Sequence, residues 1–413
     1  MISFFMRANP KIFWVTPHLR GRGVTVVVEE ATHGVARIAG ADIGVVCLHS
    51  LPESYFETAT VPAVCLDLPL GDRQACIDGF RSWMDRELPD VLIMNDVASI
   101  ESFWPFIPQG IRVIVVLHDH AFGWTKGAIE HAASLDAIVP VSQFVEHSVA
   151  GRLRRFDGIF RTVENGTSYP VAPERDIHRD RLRLVFLGAI DRQKGAFDLP
   201  AVLKECKKRK IDFSLTIIGG RSDELAAEFA AADVREYVVW ADRLPRQQCF
   251  DALEKSDVLL MLSRAEPFGL VTVEAMSMGC VPIGYSVGGT AEIIEDNKSG
   301  YLVPLCSYKR VADAIEKLDR DRPLLKSLSE ESMRRSRECY SSASMAERYW
   351  KVIQDVIESP RRGVRFESGA FRLPNLTSRR YVKIVPAGVR SVISKVVGSF
   401  PVLENYLRKF KGI

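Results

Sequence analysis

The chain has 413 residues, 47% of them hydrophobic and 26% charged, an ordinary globular composition whose length, at about 150 residues per domain, suggests two or three domains. Lys and Arg total 55 against 52 Asp and Glu, a net charge of +3, so no overall field points to nucleic acid as a partner; 28 glycines and 21 prolines exclude a collagen-like or low-complexity chain. Eight cysteines, at 47, 65, 76, 206, 249, 280, 306 and 339, form no C-x-x-C pair, which fits reduced thiols better than a disulfide or zinc framework, and no metal site is visible. The first residues lack the apolar core of a signal peptide, and no uncharged run approaches the ~20 residues of a membrane helix, so a cytoplasmic location is expected.

Short β-branched runs then alternate with helix-length amphipathic segments, the pattern of a parallel sheet covered on both faces. Strands are predicted at Ile12–Thr16, Ile43–Leu48, Val61–Leu66, Val91–Asn95, Arg112–Leu117 and Ala137–Val141. The valine-rich stretch after Gly23 reads as a strand by propensity. Yet Val24, Val27, Val28, Ala31, Val35 and Ile38 fall on one helical face, and periodicity outranks local β-preference. A polar segment with Pro170 and Pro173, 168–181, reads as a linker. After it a second series is expected, with strands at Leu184–Leu187, Ser214–Ile218, Tyr237–Trp240, Val258–Leu262, Val281–Tyr285 and Tyr301–Val303. Helices are predicted at Phe197–Arg209, Asp223–Ala231, Arg246–Lys255, Leu270–Met278, Ala291–Glu295, Val311–Leu318, Leu324–Cys339 and Ser344–Glu358. Residues 1–167 and 182–343 thus form two Rossmann-like domains facing each other across a cleft, and 344–358 is a helix closing the fold. Ligands of such sheets bind at the carboxyl ends of the strands, which makes the cleft the expected active site.

Two segments carry chemistry. In Leu187-Gly188-Ala189-Ile190-Asp191-Arg192-Gln193-Lys194-Gly195, a glycine ends a strand and a Lys-Gly pair precedes the next helix. Glycine lets an anion approach the backbone, helix N–H groups point at it and Lys194 adds positive charge, an arrangement that suits phosphate; a lysine before a helix is also commonly a solvated surface residue. In the second, Glu266-Pro267-Phe268-Gly269-Leu270-Val271-Thr272-Val273-Glu274-Ala275-Met276-Ser277-Met278-Gly279-Cys280-Val281-Pro282, Glu266 precedes a helix that starts at Gly269-Leu270 and stops at Gly279. Glu274 lies between Val273 and Ala275 in an apolar helix, where an ionised carboxylate is costly without hydroxyl or N–H partners. Two carboxylates beside the N–H groups of Phe268, Gly269 and Leu270 could hold a polyol next to a phosphate.

These residues resemble the family 4 retaining glycosyltransferases of the GT-B fold. Glu266 and Glu274 match that family's E-x7-E motif; Val287-Gly288-Gly289-Thr290-Ala291-Glu292-Ile293-Ile294 and Ser299-Gly300-Tyr301-Leu302-Val303 are similar to its G-G-x-x-E-I-I and G-x-L-V segments. Leu117-His118-Asp119, Val141-Ser142 and Glu164-Asn165-Gly166 are similar to its strand-end histidine, V-S helix start and N-G turn. The likeness covers residues 11–358 and is strongest over 183–304. It implies a nucleotide diphosphate sugar as donor substrate, with no cofactor and no metal. Lys194 and the amides of Phe268, Gly269 and Leu270, beside Gly188, would bind the diphosphate; Glu274 would accept from the ribose and Glu266 from donor-sugar hydroxyls. His118 would face the sugar ring, as a base or as a neutral hydrogen-bonding imidazole, so that His118, Glu266 and Lys194 form the catalytic set. The Gly21-Arg22-Gly23 loop would border acceptor and phosphates. The family commonly has Arg directly after the strand-end glycine, where this chain has Ala189; Arg192 is the candidate replacement. The implied reaction is metal-independent sugar transfer, hexosyl in type, with retention of configuration, to the hydroxyl of a carbohydrate or lipid-linked acceptor, as in envelope polysaccharide or glycolipid synthesis.

Beyond that body, 359–413 holds twelve basic residues against two acids, a charge of +10 that leaves −7 on the rest. Val389, Val392, Ile393, Val396, Val397 and Phe400 stand at helical spacing beside Arg390 and Lys395. Such a basic amphipathic extension suits an anionic membrane surface, and with it a peripheral place on the inner face of the cytoplasmic membrane; packing on the body as a terminal helix, or disorder, is the alternative. Two rival functions remain. One is a non-catalytic sugar- or nucleotide-binding protein of the same fold. The other, weaker, is an NAD-dependent oxidoreductase, for which the loop His18-Leu19-Arg20-Gly21-Arg22-Gly23 lacks the third glycine.

Overall fold

The computed structural model describes residues 9–18, 23–50, 61–69, 72–95, 104, 106–153, 158–171 and 181–360. Most of the expected linker, Gly21, Arg22 and the basic extension from 361 onward lie outside them. The first lobe is a six-stranded parallel sheet of β1 (Lys11–His18), β2 (Asp42–Ser50), β3 (Ala63–Cys65), β4 (Val91–Met94), β5 (Arg112–Leu117) and β6 (Ala137–Pro140), in the order β3-β2-β1-β4-β5-β6. The second has β7 (Leu182–Leu187), β8 (Phe213–Ile218), β9 (Val238–Ala241), β10 (Val258–Met261), β11 (Val281–Tyr285) and β12 (Tyr301–Val303), in the order β12-β11-β10-β7-β8-β9. Strand order reverses beside β1 and beside β7, so each lobe has its switch point at a central strand, where doubly wound sheets bind ligands. The two Rossmann-like domains expected from the sequence are present.

Helix α1 spans Val24–Ile38. Its buried face holds Val27, Val28, Ala31, Thr32, Gly34 and Val35, the helical stripe that outweighed valine's β-preference; Ile38, at the end of the predicted stripe, is exposed. Edge strand β3 is shorter than predicted. It begins after Pro62, which has no N–H to give a ladder, although its carbonyl still accepts from Val45 N at 2.9 Å. Further helices are α2 (Arg73–Glu87), α3 (Phe122–Glu130) and α4 (Gln143–Ala150) in the first lobe. The second contains α5 (Leu199–Lys208), α6 (Asp223–Ala231), α7 (Arg246–Glu254), α8 (Leu270–Ser277), α9 (Thr290–Ile293) and α10 (Tyr308–Arg320), then α11 (Arg322–Cys339) and α12 (Ser342–Glu358).

The chain crosses between lobes twice, and the crossings touch. Thr167 N donates to Tyr340 O at 3.1 Å and Ser342 N to Thr167 O at 3.0 Å. After the second crossing α12 returns to the first lobe and buries Met345, Tyr349, Val352 and Ile353 in its core. Gly34 makes this possible: a Cβ there would stand 2.6 Å from the Cβ of Ala346, so the two helices meet backbone to side chain. Phe268, Val273, Met276 and Ile293, from the second half of the chain, join the first lobe's core, while a separate core fills the space around β7, β8 and α5. No disulfide joins any of the eight cysteines, and Cys47, Cys76, Cys206 and Cys280 are buried. No described helix is long and apolar enough to cross a membrane.

Candidate active site

A cavity of about 230 Å³ opens between the lobes at the carboxyl ends of the strands. Gly23, Val24 and Val27, from the start of α1, form one wall together with His118 and Asn165; Gly188, Lys194, Ser263, Glu266 and the start of α8 form the other. Of the residues singled out in the sequence, the structure thus gathers His118, Gly188, Lys194, Glu266, Phe268, Gly269, Leu270 and Gly23 around one space.

The lysine loop owes its shape to Asp191 within it and to Arg264 from outside it. Asp191 Oδ1 accepts from Lys194 N at 2.7 Å, and Arg264 reaches back to donate from its N to Gln193 O at 2.7 Å and from Nε to Arg192 O at 3.0 Å. Arg264 is fixed in turn on the buried Asp198 at 2.5 Å. Lys194 Nζ then stands 2.7 Å from Glu266 Oε2, a pair in which the glutamate side chain is 9% exposed and the lysine side chain 35%. A charge-assisted contact of this kind holds both groups at the cavity wall, and a ligand anion would have to share the lysine.

The Glu266–Phe268 loop is seated on the Gly288-Gly289 turn. Gly289 N donates to Glu266 O at 2.8 Å; a Cβ on Gly289 would lie 2.4 Å from Phe268 O, and one on Gly288 2.1 Å from Glu266 O. Only glycine allows that approach. Gly269, at φ 113°, leads into α8 with no side-chain cap; Thr272 N already donates to Gly269 O at 2.9 Å, and Gly269, Leu270 and Val271 line the cavity with the positive end of the helix. From the first lobe, Ser142 Oγ donates to Pro267 O at 2.6 Å. In the opposite direction Glu292 accepts from the first two N–H groups of α4, Gln143 N at 2.9 Å and Phe144 N at 2.6 Å.

His118 Nε2 lies 3.0 Å from Asn95 Oδ1. The Asn95 amide NH2 donates to Val15 O and Ile93 O, which leaves Oδ1 as the acceptor and puts the imidazole proton on Nε2. Burial pulls the imidazole down to about 4, so the ring is neutral at ordinary pH, with Nδ1 as its remaining acceptor. Two further polar atoms of the wall, Asn165 Oδ1 and Ser263 Oγ, are buried with no hydrogen-bond partner among the described residues. Buried polar groups are rarely left so, and a polyhydroxylated ligand would satisfy them.

Two expected site residues stand elsewhere. Arg192 turns away from the cavity: its guanidinium pairs with Glu224 at 2.9 Å and Glu228 at 3.6 Å and lies over the Phe197 ring. It does not fill the place of the arginine absent at Ala189, because α6 offers it two carboxylates on the outer surface. Glu274 is half-buried on α8 and is not part of the cavity wall; its carboxylate faces Arg246, with Nε to Oε1 at 3.4 Å. Gly21 and Arg22 lie outside the described residues. Reading the sequence missed Arg246, Asn95 and Ser263. Asn95 directly follows the buried apolar strand β4, and Ser263 stands two residues past the end of β10, after Leu262, a change from apolar to polar that was legible. Arg246, at a helix start remote from any motif, carried no such signal.

Residues 172–335 match the family model described as Glycosyl transferases group 1. An uncharacterized 41.2 kDa protein in the cps region of Klebsiella pneumoniae is 32% identical over 145 residues, 35% of this chain and 38% of that one. N-acetyl-alpha-D-glucosaminyl L-malate synthase of Bacillus anthracis is 34% identical over 113 residues, 27% of this chain and 30% of that one. The chain therefore spans about a third of the length of these relatives. Over a wider span, the crystal structure of Anabaena HepE in complex with UDP and glucose superposes with a TM-score of 0.71 at 14% identity, covering 84% of this chain and 100% of that one. That likeness shows the shared GT-B fold.

Proposed function

Because the chain belongs, through residues 172–335, to the group 1 glycosyl transferases, we propose that it moves a sugar from a nucleotide diphosphate donor to an acceptor hydroxyl with retention of configuration. The observation that carries this is the inter-lobe wall itself. It sets Lys194 on Glu266 at 2.7 Å beside the uncapped start of α8, and it faces them with the unsatisfied Asn165 Oδ1 and the neutral His118.

As the glycosidic bond to phosphate breaks, negative charge grows on the diphosphate and the sugar ring becomes oxocarbenium-like. Lys194 and the amides of Gly269 and Leu270 are placed to take up that charge, while Glu266 accepts from sugar hydroxyls and keeps the lysine in position. With its pKa near 4, His118 is a poor base at neutral pH; we assign it a hydrogen bond from a sugar hydroxyl to Nδ1, and leave the acceptor proton to the departing phosphate. Glu274 is assigned to the ribose, which it would reach from behind the cavity wall. The rival oxidoreductase is not favoured, since the family match is to glycosyl transferases.

For the acceptor we propose an envelope polysaccharide or glycolipid, a choice supported by the cps-region relative, and for the basic 359–413 segment an anionic membrane surface, supported by its +10 charge. A thermal-shift panel of nucleotide sugars tests the donor class. A donor at 100 times its Kd should stabilise the fold by about 2.7 kcal/mol, whereas no shift with any nucleotide sugar would contradict the proposal.

A further inference from the structure

Arg246 is the first residue of α7, where a cation opposes the helix dipole, and no side chain caps that helix. Its position is explained by what it touches. Nε lies 3.4 Å from Glu274 Oε1, Nη1 lies 3.1 Å from Glu30 Oε1, and Nη2 donates to Thr167 Oγ1 and to Ser168 O, at the first crossing between lobes. Glu30 also accepts from Ser168 Oγ at 2.5 Å. Glu30 belongs to α1, one turn beyond Val27, so the helix that forms one wall of the cavity also holds the cation behind the opposite wall.

We propose that Arg246 is a positioning residue: one guanidinium, shared between Glu274 of the donor lobe and Glu30 of the acceptor lobe, couples the orientation of the motif glutamate to the seating of α1. This rests on the glycosyltransferase assignment only for the role of Glu274 toward the ribose. The fork geometry of arginine matters, because Nε serves one carboxylate while the two terminal nitrogens serve the other lobe and the hinge. Burial pushes the Glu274 carboxyl up and Arg246 opposes that rise, so loss of the cation would leave the carboxylate both misplaced and less ionised.

The test titrates UDP, GDP, ADP, CDP and dTDP into the full chain and into Arg246→Gln, Arg246→Lys, Glu30→Gln and the double variant, by calorimetry. For the nucleotide that the wild type binds, Arg246→Gln is expected to weaken affinity by about tenfold and Arg246→Lys to recover part of the loss. Glu30→Gln should weaken it by about threefold although Glu30 is not part of the cavity wall, and should add nothing in the Arg246→Gln background. Wild-type affinity in Glu30→Gln, or losses that add in the double variant, would overturn the proposal. Thermal unfolding of Glu30→Gln, Glu274→Gln and their combination, without ligand, decides the coupling independently: the effects should be non-additive with Arg246 present and additive without it. If the wild type takes up none of the five nucleotides, the glycosyltransferase assignment fails while the unfolding cycle still decides whether Arg246 couples the two acids.

Discussion

At the scale of single residues, the cleft is defined by which polar groups are satisfied and which are not. Lys194 and Glu266 complete each other, and His118 is fixed as one tautomer by Asn95, whereas Asn165 Oδ1 and Ser263 Oγ wait for a partner. His118 gives a pH-dependent consequence. Its imidazole titrates near 4 in the folded chain against 6.5 ordinarily. A group held neutral in this way contributes stability that is complete above about pH 6.5 and is lost as pH falls toward 4, where the unfolded chain already binds the proton. Imidazole chemical shifts followed against pH should therefore show a His118 midpoint near 4, while a midpoint near 6.5 would contradict the burial argued for it.

Among the elements, two contacts determine how well the site holds its shape. The Gly288-Gly289 turn beneath the Glu266 loop admits no side chain, so Gly289→Ala should cost about 1–3 kcal/mol in calorimetric unfolding and lower donor turnover as the loop is pushed out; unchanged unfolding would refute the close approach. Across the cleft, Glu292 accepts from the first two N–H groups of α4 in the other lobe, beside the N-cap Ser142. Glu292→Gln is expected to lose about 0.5–2 kcal/mol of stability, with the loss shrinking at high salt. Both elements were legible in the sequence as a motif, G-G-x-x-E, but not what they do, because their partners lie about 20 or more residues away in loops whose approach no local pattern records. The strands and helices themselves could be read with small errors, since 2.0 and 3.6 periodicities survive in a single chain. Val24–Ile38 is the clearest case. Its helical stripe was decisive, and the structure buries that stripe against α12. Arg192 shows the opposite limit: a cation beside a phosphate-type loop looks like a ligand until α6 is seen to supply Glu224 and Glu228.

On the scale of the molecule, two doubly wound sheets set their switch points opposite each other, and the double crossing at Thr167 and Ser342 keeps the lobes in register while α12 returns to the first. The charge is unevenly spread, with −7 on residues 1–358 and +10 on 359–413. If the basic segment docks on anionic lipid, the full chain should pellet with phosphatidylglycerol vesicles and a chain ending at Glu358 should not, with binding that weakens as salt rises; equal recovery of both would remove the membrane surface as a partner.

The most direct measurement is the release of nucleoside diphosphate from a panel of nucleotide sugars, with and without candidate glycan acceptors, by the wild type and by Lys194→Ala. Release by the wild type, lowered in the variant by about tenfold to a thousandfold in kcat/KM, or about 1.4–4 kcal/mol of transition-state stabilisation, is the expected result. Equal rates from a correctly folded Lys194→Ala protein would contradict the role given to the lysine at the cleft.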